Sequence, residues 1–233
     1  MKNHKIKMDS AIVLVSGGMD SALTAAIANQ KFNLYFLHIN YGQRTQHREL
    51  KAFYDLSKYY NVKKSLVVNL GYLKDIGGSS LTDKKIKVEK ADLKNKNVPV
   101  SYVPFRNANI LSIAVSWAEV TGIEHIFIGA VEEDSSGYPD CRKKFFKSFE
   151  EMVNTGTKPE TRIKIETPII KLSKKDIVLK SLKLKSPLHL TWSCYKENRI
   201  ACGECDSCAL RLRGFQKAGI ADPLSYNKII KYN

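Results

Sequence analysis

The amino-acid sequence predicts an α/β fold: a Rossmann-like parallel sheet with helices on both faces, followed by a small module in which four cysteines bind a metal. Three observations predict it. Short apolar segments rich in β-branched residues alternate with segments of helical spacing over most of the chain. The first apolar segment ends in a loop with two adjacent glycines, and four cysteines cluster near the C-terminus. We expect residues 1–187 to form the α/β domain and residues 188–233 to form the metal module packed on it.

Each strand is predicted from an apolar run of the kind that is buried on both faces of a parallel sheet. Helices are predicted where apolar residues recur at helical spacing, and Ser173 is the expected N-cap of one of them. The predicted strands are 11–15, 34–39, 66–68, 126–129 and 163–166; the predicted helices are 21–30, 45–60, 107–120, 139–153, one that follows Ser173 and one that ends at Gly214. Residues 71–100 are rich in lysine and are predicted to form a long, mobile loop.

The composition is that of a globular protein, with 43% hydrophobic and 26% charged residues among 233. No apolar run approaches the ~18–20 residues that a membrane span requires, and no signal-peptide pattern opens the chain. We therefore expect a cytoplasmic protein without a membrane partner. The 38 lysines and arginines outnumber the 23 acidic residues, which gives a net charge of +15. Because the lysines are scattered, this charge alone does not indicate nucleic-acid binding.

The loop at residues 16–21 has the features of a phosphate-binding loop. Gly17 and Gly18 allow the backbone to adopt positive φ and to bring its N–H groups close to a ligand. Ser16 and Ser21 add hydroxyl donors, and the following helix directs its positive end at the loop. The loop lacks both the lysine of a Walker A motif and the G-x-G-x-x-G pattern of a dinucleotide site. It predicts a different kind of nucleotide phosphate site, with an ordinary glycine-rich turn as the alternative.

A metal site is predicted from the spacing Cys194-x7-Cys202-x2-Cys205-x2-Cys208. Four thiolates on a short segment match the tetrahedral ligand set of zinc, and a closed site of this kind is structural because no position is left for water. An iron–sulfur cluster is the alternative, although the proline that follows the last cysteine in ferredoxins is absent. The fifth cysteine, Cys141, stands apart and is expected to be a buried or site-lining thiol.

Further polar and aromatic clusters follow the predicted strands or precede the predicted helices. Because the carboxyl ends of parallel strands meet at one edge of the sheet, these clusters can all face one crevice. Taken singly, each has an ordinary structural interpretation, such as a turn or the start of a helix. The clusters are 38–44, 103–107, 129–134, 137–141 and 191–195.

These motifs resemble those of known enzymes. Ser16-Gly17-Gly18-x-Asp20-Ser21 resembles the signature of the N-type ATP pyrophosphatases, or PP-loop ATPases, which cleave ATP between its α and β phosphates and adenylate an oxygen of the substrate. Together and in this order, the clusters resemble one family, the 7-cyano-7-deazaguanine synthases of queuosine-precursor biosynthesis. The most specific matches are Tyr41-Gly42-Gln43-Arg44, Val103-Pro104-x-Arg106-Asn107, Gly137-Tyr138-Pro139-Asp140-Cys141, Thr191-Trp192-Ser193-Cys194-Tyr195 and Cys202-Gly203-x-Cys205-Asp206-Ser207-Cys208. Residues 84–97 match least.

The resemblance implies an adenine nucleotide alpha hydrolase-like fold and an ATP-dependent ligase. It implies that 7-carboxy-7-deazaguanine and ammonia become the 7-cyano base through an adenylated carboxylate and then an adenylated amide. Each round releases AMP and pyrophosphate. ATP is then a substrate accompanied by Mg2+, and Zn2+ is structural. No nucleic acid is required, and a homodimer is the expected assembly.

The resemblance also implies roles for individual residues. The expected catalytic residues are Asp20, Ser21, Arg106 and Lys174, with an exposed helix lysine as the alternative for Lys174. The expected ATP-binding residues are Leu14, Val15, Ser16, Gly17, Gly18, Met19, Asp20, Ser21, Ala22, Leu23 and Thr24. The expected substrate-binding residues are Tyr41, Gln43, Arg44, Phe105, Asn107, Tyr138 and Asp140. The expected metal ligands are Cys194, Cys202, Cys205 and Cys208.

Two other classes of function remain open at this point. A PP-loop enzyme that adenylates or thiolates a tRNA base would suit the positive charge and the zinc module. A non-enzymatic nucleotide- or nucleic-acid-binding module with a structural zinc is the second. ATP turnover with the free deazaguanine carboxylate, and without tRNA, distinguishes the predicted ligase from both.

Overall fold

The structure is a computed structural model that describes residues 8–95, 97–132 and 137–232. Its core is a five-stranded sheet in the order β3-β2-β1-β4-β5, and every neighbouring pair is parallel. The strands are β1 (Ser10–Leu14), β2 (Asn33–Asn40), β3 (Lys64–Asn69), β4 (His125–Ile128) and β5 (Lys164–Glu166). This order is that of a doubly wound sheet, and it confirms the predicted fold class.

Seven helices accompany the sheet in the described part of the chain: α1 (Met19–Ala28), α2 (Gln46–Tyr59), α3 (Tyr72–Ile76), α4 (Arg106–Thr121), α5 (Lys143–Gly156), α6 (Lys174–Lys183) and α7 (Asp206–Ala218). Single 3-10 turns lie at Pro139–Cys141 and Leu188–Leu190. Among the described residues, none of these helices has the length and apolarity needed to cross a bilayer.

Both faces of the sheet are buried, because successive side chains of β1 point to opposite sides. On one side, Ala11 and Val13 pack in a cluster with residues of α1 and α2. On the other side, Ile12 and Leu14 pack in a second cluster with residues of α4 and α5. Such two-sided burial explains why the strands appear in the sequence as continuous apolar runs rather than as alternating ones.

The chain adds β2 and β3 on one side of β1 and then adds β4 and β5 on the other side, so the strand order reverses at β1. From β1 it passes through α1 to β2, whereas it reaches β4, on the other side of β1, through α4. Such a switch point leaves a crevice at the carboxyl ends of the two strands. Gly129 follows β4 there, and a Cβ at this position would lie 2.9 Å from the carbonyl of Asp20 and from the amide nitrogen of Ser21. A glycine is therefore needed for the end of β4 to approach the first turn of α1.

Three element predictions need correction. Residues 71–100 include α3, and the side chains of Ser79, Ser80 and Leu81 are buried, so much of this segment packs on the protein. The predicted helix 139–153 is interrupted, because Pro139 opens a 3-10 turn and α5 begins only at Lys143. The last helix continues beyond Gly214 to Ala218.

Helix α6 begins as predicted. The Ser173 hydroxyl accepts a hydrogen bond from the Asp176 amide at 3.2 Å, and the Asp176 carboxylate accepts one from the Ser173 amide at 3.3 Å. This reciprocal pair is a capping box. Helix α7 then packs closely on α6, since a Cβ at Gly214 would lie 2.8 Å from the carbonyl oxygen of Lys174. The division of the chain at residue 187 stays a prediction.

A buried ion pair joins α7 to the segments that flank it. The Arg211 guanidinium donates to both carboxylate oxygens of Asp222, at 2.7 and 2.9 Å. It also donates to Thr191 Oγ1 at 2.7 Å and to the Leu188 carbonyl at 3.2 Å. The side chains of Arg211 and Asp222 are only 1% and 4% exposed, so each charge depends on the other for stabilisation.

We predict that Asp222→Asn lowers the free energy of unfolding by about 3 kcal/mol, because it leaves the Arg211 charge buried without its counter-ion. Urea denaturation followed by circular dichroism measures the loss. The matched control is Asp55→Asn, which breaks an exposed pair with Lys51. We expect it to change the free energy by no more than about 0.5 kcal/mol. Equal losses in the two variants would contradict the role assigned to the buried pair.

Candidate functional site

A cavity of about 260 Å³ opens at the carboxyl ends of β1, β2 and β4. Its walls come from the loop between β1 and α1, from the first turn of α4 and from the segment that leads into the cysteine cluster. This is the crevice that the strand order produces. Doubly wound proteins bind their ligands at such a place.

The loop between β1 and α1 is shaped by its own hydrogen bonds. Ser21 Oγ donates to the Gly18 carbonyl at 2.9 Å, and the Gly18 amide lies 3.3 Å from Ser16 Oγ. Gly17 has φ +91°, and a Cβ there would lie 2.8 Å from the carbonyl oxygen of Glu49. Helix α1 begins directly after this turn, so its unpaired amides and the positive end of its dipole face the cavity. The loop can hold the phosphates of a nucleotide.

An ion pair lies beside this loop. Lys174 Nζ, on the first turn of α6, lies 2.6 Å from Asp20 Oδ2. The lysine side chain is 8% exposed, so it is a buried cation that lines the cavity rather than an exposed helix lysine. The second carboxylate oxygen, Asp20 Oδ1, is buried and has no hydrogen-bond partner in the part of the chain that the structure describes. A bare carboxylate oxygen beside a phosphate site suits a divalent cation.

Arg106 supplies a second cation at the opposite wall. Its guanidinium donates to Tyr41 Oη at 3.0 Å, and its Cζ lies 5.1 Å from the centre of the Tyr41 ring and 6.0 Å from that of Tyr138. Burial raises the pKa of Tyr41, Tyr138 and Tyr195, so these phenols stay neutral around the arginine. Arg106 Nε is buried without a partner among the described residues. This donor is available to an anionic group of a ligand.

The cavity brings together residues that are far apart in the sequence. The predicted site residues that line it are Leu14, Val15, Ser16, Gly18, Met19, Asp20, Ser21, Tyr41, Arg106, Asn107, Tyr138 and Lys174. The predicted site residues that do not line it are Gly17, Ala22, Leu23, Thr24, Gln43, Arg44, Phe105 and Asp140. Gly17 shapes the loop from behind, and Ala22, Leu23 and Thr24 are buried within α1.

Two of the predicted substrate-binding residues make contacts away from the cavity. Arg44 donates to the backbone carbonyls of Ser80, Asp83 and Ile86 at 2.7–2.9 Å, which fixes the segment after α3. Phe105 is 60% exposed and has φ +55° at the N-cap of α4, immediately before Arg106.

Asp140 and Gln43 do not line the cavity, but each accepts a hydrogen bond from the backbone of a residue that does. Asp140 Oδ2 accepts from the backbone amide of Asn107 at 2.9 Å, and the Asn107 side chain donates to the Asp140 carbonyl at 3.0 Å. Gln43 Oε1 accepts from the Tyr41 amide at 2.8 Å. Cys141 lines the cavity, and burial raises the pKa of its thiol to about 11, so it is protonated at neutral pH.

Other residues line the cavity without having been predicted as site residues. Trp192, Ser193 and Tyr195 belong to the motif 191–195, which was noted as a polar and aromatic cluster without a role for each residue. Nothing in the local sequence of α2 singles out Glu49 as a cavity residue. The remaining lining residues are Leu37, Ile39, Ile110, Ile128, Gly129, Ala130, Val131, Ser207, Leu210 and Arg211. The apolar ones give the cavity a partly dry wall, which strengthens the electrostatic contacts within it.

The four predicted metal ligands converge. The Sγ atoms of Cys194, Cys202, Cys205 and Cys208 all lie within 4.8 Å of one another, and all four residues are buried. The Cys202 and Cys208 sulfurs are 3.8 Å apart. A tetrahedron with zinc–sulfur bonds of about 2.3 Å has edges of about 3.8 Å, so the group fits a zinc ion. The backbone amides of Glu197 and Cys202 also approach Cys194 Sγ at 3.3 and 3.4 Å, which stabilises a thiolate.

The cysteine cluster is tied directly to the phosphate loop. The Trp192 amide, two residues before Cys194, donates to the Gly17 carbonyl at 2.8 Å. The Arg48 guanidinium stacks 4.6 Å above the Trp192 ring. A metal bound to the cysteines would therefore fix one wall of the cavity.

Comparison with solved structures finds distant likenesses. NMN synthetase from Francisella tularensis is 13% identical, with a TM-score of 0.48, over 92% of this chain and 74% of that one. An NH3-dependent NAD synthetase from Campylobacter jejuni is 14% identical, with a TM-score of 0.47, over 80% of this chain and 68% of that one.

Comparison with family models and curated sequences is decisive. The chain is 58% identical over 219 residues to a 7-cyano-7-deazaguanine synthase from Chlorobium phaeobacteroides, covering 94% of this chain and 97% of that one. It is also 58% identical to the synthase of the same name from Chloroherpeton thalassium, over 93% of this chain and 96% of that one. The family model described as queuosine biosynthesis protein QueC matches residues 10–219. The resemblance predicted from the motifs is thereby confirmed, and the chain belongs to the QueC family of queuosine biosynthesis proteins.

Proposed function

We propose that this chain is an ATP-dependent ligase that converts 7-carboxy-7-deazaguanine and ammonia to 7-cyano-7-deazaguanine. The observation that supports it most strongly is the meeting of a phosphate loop, the Asp20–Lys174 pair and the buried Arg106 in one cavity. Adenylation needs these three features together, because pyrophosphate, a metal-bound triphosphate and a substrate carboxylate must all be held around one phosphorus atom.

The phosphate loop holds ATP. The backbone amides and hydroxyls of residues 16–21 bind the phosphates, with Leu14 and Val15 before them and the buried first turns of α1 behind them. Asp20 Oδ1 is the free oxygen that would hold Mg2+, whose charge would offset that of the triphosphate. Lys174 stabilises the negative charge that develops as pyrophosphate leaves.

The opposite wall holds the deazaguanine. Arg106 Nε pairs with its carboxylate, while Tyr41, Asn107 and Tyr138 form the pocket around the base. Gln43 and Asp140 act from outside the cavity by positioning Tyr41 and Asn107 through the hydrogen bonds described above. Arg44 acts from farther away by holding the segment after α3, and Phe105 by setting the start of α4 just before Arg106.

The reaction passes through two adenylations. The substrate carboxylate attacks the α-phosphorus, pyrophosphate leaves, and ammonia displaces AMP to give the amide. The amide oxygen then attacks the α-phosphorus of a second ATP and pyrophosphate leaves again. Loss of AMP and of the two amide protons leaves the nitrile. The apolar and aromatic walls limit the access of water to the acyl-adenylate, which would otherwise be hydrolysed. The four thiolates would hold Zn2+ as a structural cross-link, since they leave no coordination position for water.

Free base and free ammonia are the substrates, so neither tRNA nor a membrane takes part. We further propose that the enzyme works in the cytoplasm as a homodimer, in line with the family resemblance.

Mass spectrometry of the purified protein incubated with ATP, ammonium and 7-carboxy-7-deazaguanine tests the proposed function. We expect the nitrile together with AMP, because the loop holds the β and γ phosphates as the leaving group. A parallel incubation with tRNA lacking the modification, in place of the free base, is expected to release no AMP. Formation of ADP without AMP, or turnover that depends on tRNA, would contradict the proposal.

Asp20→Asn is expected to lower pyrophosphate release at least about 100-fold, since it removes the charge that pairs with Lys174 and that would hold Mg2+. The measurement is a coupled pyrophosphate assay, accompanied by zinc content and thermal unfolding to show that the fold persists. Asp75→Asn makes the same change at an exposed position on α3 and is expected to retain wild-type activity. Wild-type turnover by Asp20→Asn would remove this carboxylate from the chemistry.

Metal analysis tests the cysteine cluster. We expect about one zinc ion per chain and no iron, because the four sulfurs have the spacing of a tetrahedral site. Cys208→Ser is expected to lose the metal and to melt at a lower temperature, since the metal contributes to the stability of the fold. The matched control is Cys141→Ser, whose sulfur is not in the cluster and which should keep its zinc. Iron in the purified protein, or full zinc in Cys208→Ser, would disprove the assignment.

A further inference from the structure

The proposed reaction needs a group that accepts a proton from the attacking nitrogen, and none of the residues with a role in adenylation does this. Near neutral pH the nitrogen source is mostly ammonium, which has no lone pair with which to attack the acyl-adenylate. Nitrogen must lose protons on its way to the amide, so a group beside the acyl carbon has to hold the cation and accept a proton from it. A carboxylate can do both.

Two acidic residues line the cavity in the described part of the chain, Asp20 and Glu49. Asp20 already pairs with Lys174 at 2.6 Å. No lysine, arginine or histidine among the described residues lies within ion-pair distance of the Glu49 carboxylate. A cavity-lining carboxylate without a counter-ion is suited to a small cation.

Hydrogen bonds hold the Glu49 carboxylate in one orientation. Oε1 accepts from Thr45 Oγ1 at 2.7 Å, and Oε2 accepts from Gln43 Nε2 at 3.0 Å. Both partners are neutral donors, so they orient the carboxylate without cancelling its charge. Because each carboxylate oxygen has two acceptor sites, both oxygens keep one for a ligand.

Glu49 also lies in a suitable place to act on the attacking nitrogen. Its backbone lies against Gly17 of the phosphate loop, where a Cβ would be 2.8 Å from the Glu49 carbonyl oxygen. The other end of Gln43 accepts from the amide of Tyr41, whose side chain bonds to Arg106. Glu49 is thus linked to both the phosphate loop and the wall proposed for the substrate carboxylate. In the proposed reaction, the acyl carbon of the acyl-adenylate would lie between these two walls.

The nearby histidine is a weaker candidate for this role. His38 Nδ1 is 2.8 Å from the Val15 carbonyl and Nε2 is 3.2 Å from Asn40 Oδ1, so both ring nitrogens are occupied. His38 is 1% exposed and does not line the cavity.

We propose that Glu49 is a catalytic residue that binds ammonium and accepts the proton whose loss frees the nitrogen lone pair for attack on the acyl carbon. This inference rests on the proposed function. In the step, Glu49 takes one proton from the bound ammonium, which frees the nitrogen lone pair. That lone pair forms the C–N bond, the C–O bond to AMP breaks, and AMP departs with that electron pair. The second proton that the nitrogen loses leaves with the AMP phosphate, and Glu49 releases its own proton to water before the next turnover.

Glu49→Gln tests this role through a comparison of two nucleophiles. With ATP, the deazaguanine carboxylate and ammonium, we expect amide formation to fall at least about 100-fold. With hydroxylamine, which is largely unprotonated at neutral pH, we expect hydroxamate formation within about threefold of wild type. Quenched-flow mass spectrometry measures both products. Retained hydroxamate formation also shows that the variant folds and still adenylates the carboxylate.

Two further variants sharpen the result. Glu49→Asp keeps a carboxylate but withdraws it by one methylene, and we expect a smaller loss that is again confined to ammonium. Glu151→Gln makes the matched charge change on α5, where the side chain is exposed, and is expected to behave as wild type with both nucleophiles.

Three outcomes overturn the inference. Wild-type amide formation by Glu49→Gln removes Glu49 from the nitrogen step. Equal loss with ammonium and hydroxylamine means that Glu49 supports the fold or the adenylation rather than the nitrogen. If Glu49→Asp loses as much activity with hydroxylamine as with ammonium, Glu49 likewise supports the fold or the adenylation rather than the nitrogen step. Failure of the proposed function is distinguishable, because the wild-type protein would then give neither product and no AMP.

Discussion

The ion pair between Asp20 and Lys174 is the contact on which the architecture of the site depends. A lysine ammonium that is 8% exposed is stable only beside an opposite charge, so α6 must lie where Lys174 can reach the phosphate loop. Helix α7 follows from this placement, because Gly214 lets it pack against the backbone of Lys174. Helix α7 begins beside Cys205 and carries Cys208. One ion pair thus relates the phosphate loop, two helices and the cysteine cluster.

The fold and the chemically distinctive parts of the site were predictable because they are encoded locally. A continuous apolar run ended by Ser16-Gly17-Gly18 specifies both a buried strand and the turn that follows it, and the cysteine spacing specifies a metal knuckle. Residues 71–100 were mispredicted because their order depends on a distant residue: Arg44 satisfies carbonyls of that segment. Glu49 was missed for the same reason, since its significance comes from contacts with Gln43 and from the packing of Gly17. Sequence periodicity carries no signal for such contacts.

The two ends of the cavity differ in polarity, and the difference suits successive steps of one reaction. At the loop, backbone amides and Lys174 offer donors to phosphate oxygens. At the other end, Arg106 lies among the neutral phenols of Tyr41 and Tyr138, which stabilise its charge through ring faces and one hydrogen bond without neutralising it. An arginine held in this way keeps its attraction for an anionic ligand. The cavity can therefore hold two negatively charged reactants at once, although they repel each other in water.

The cysteine cluster lies outside the reaction, yet it determines the shape of the reaction site. The Trp192 amide bonds to Gly17, and the Arg48 guanidinium covers the Trp192 ring, so the segment that enters the cluster also closes the cavity beside the phosphate loop. Arg211 holds the same segment from behind through Thr191 and Ser193. A chain that lost its four-sulfur cross-link would free this segment at one end and expose the loop to water. An acyl-adenylate survives only where water is excluded, so a metal held by the four sulfurs would serve the proposed chemistry as well as the fold.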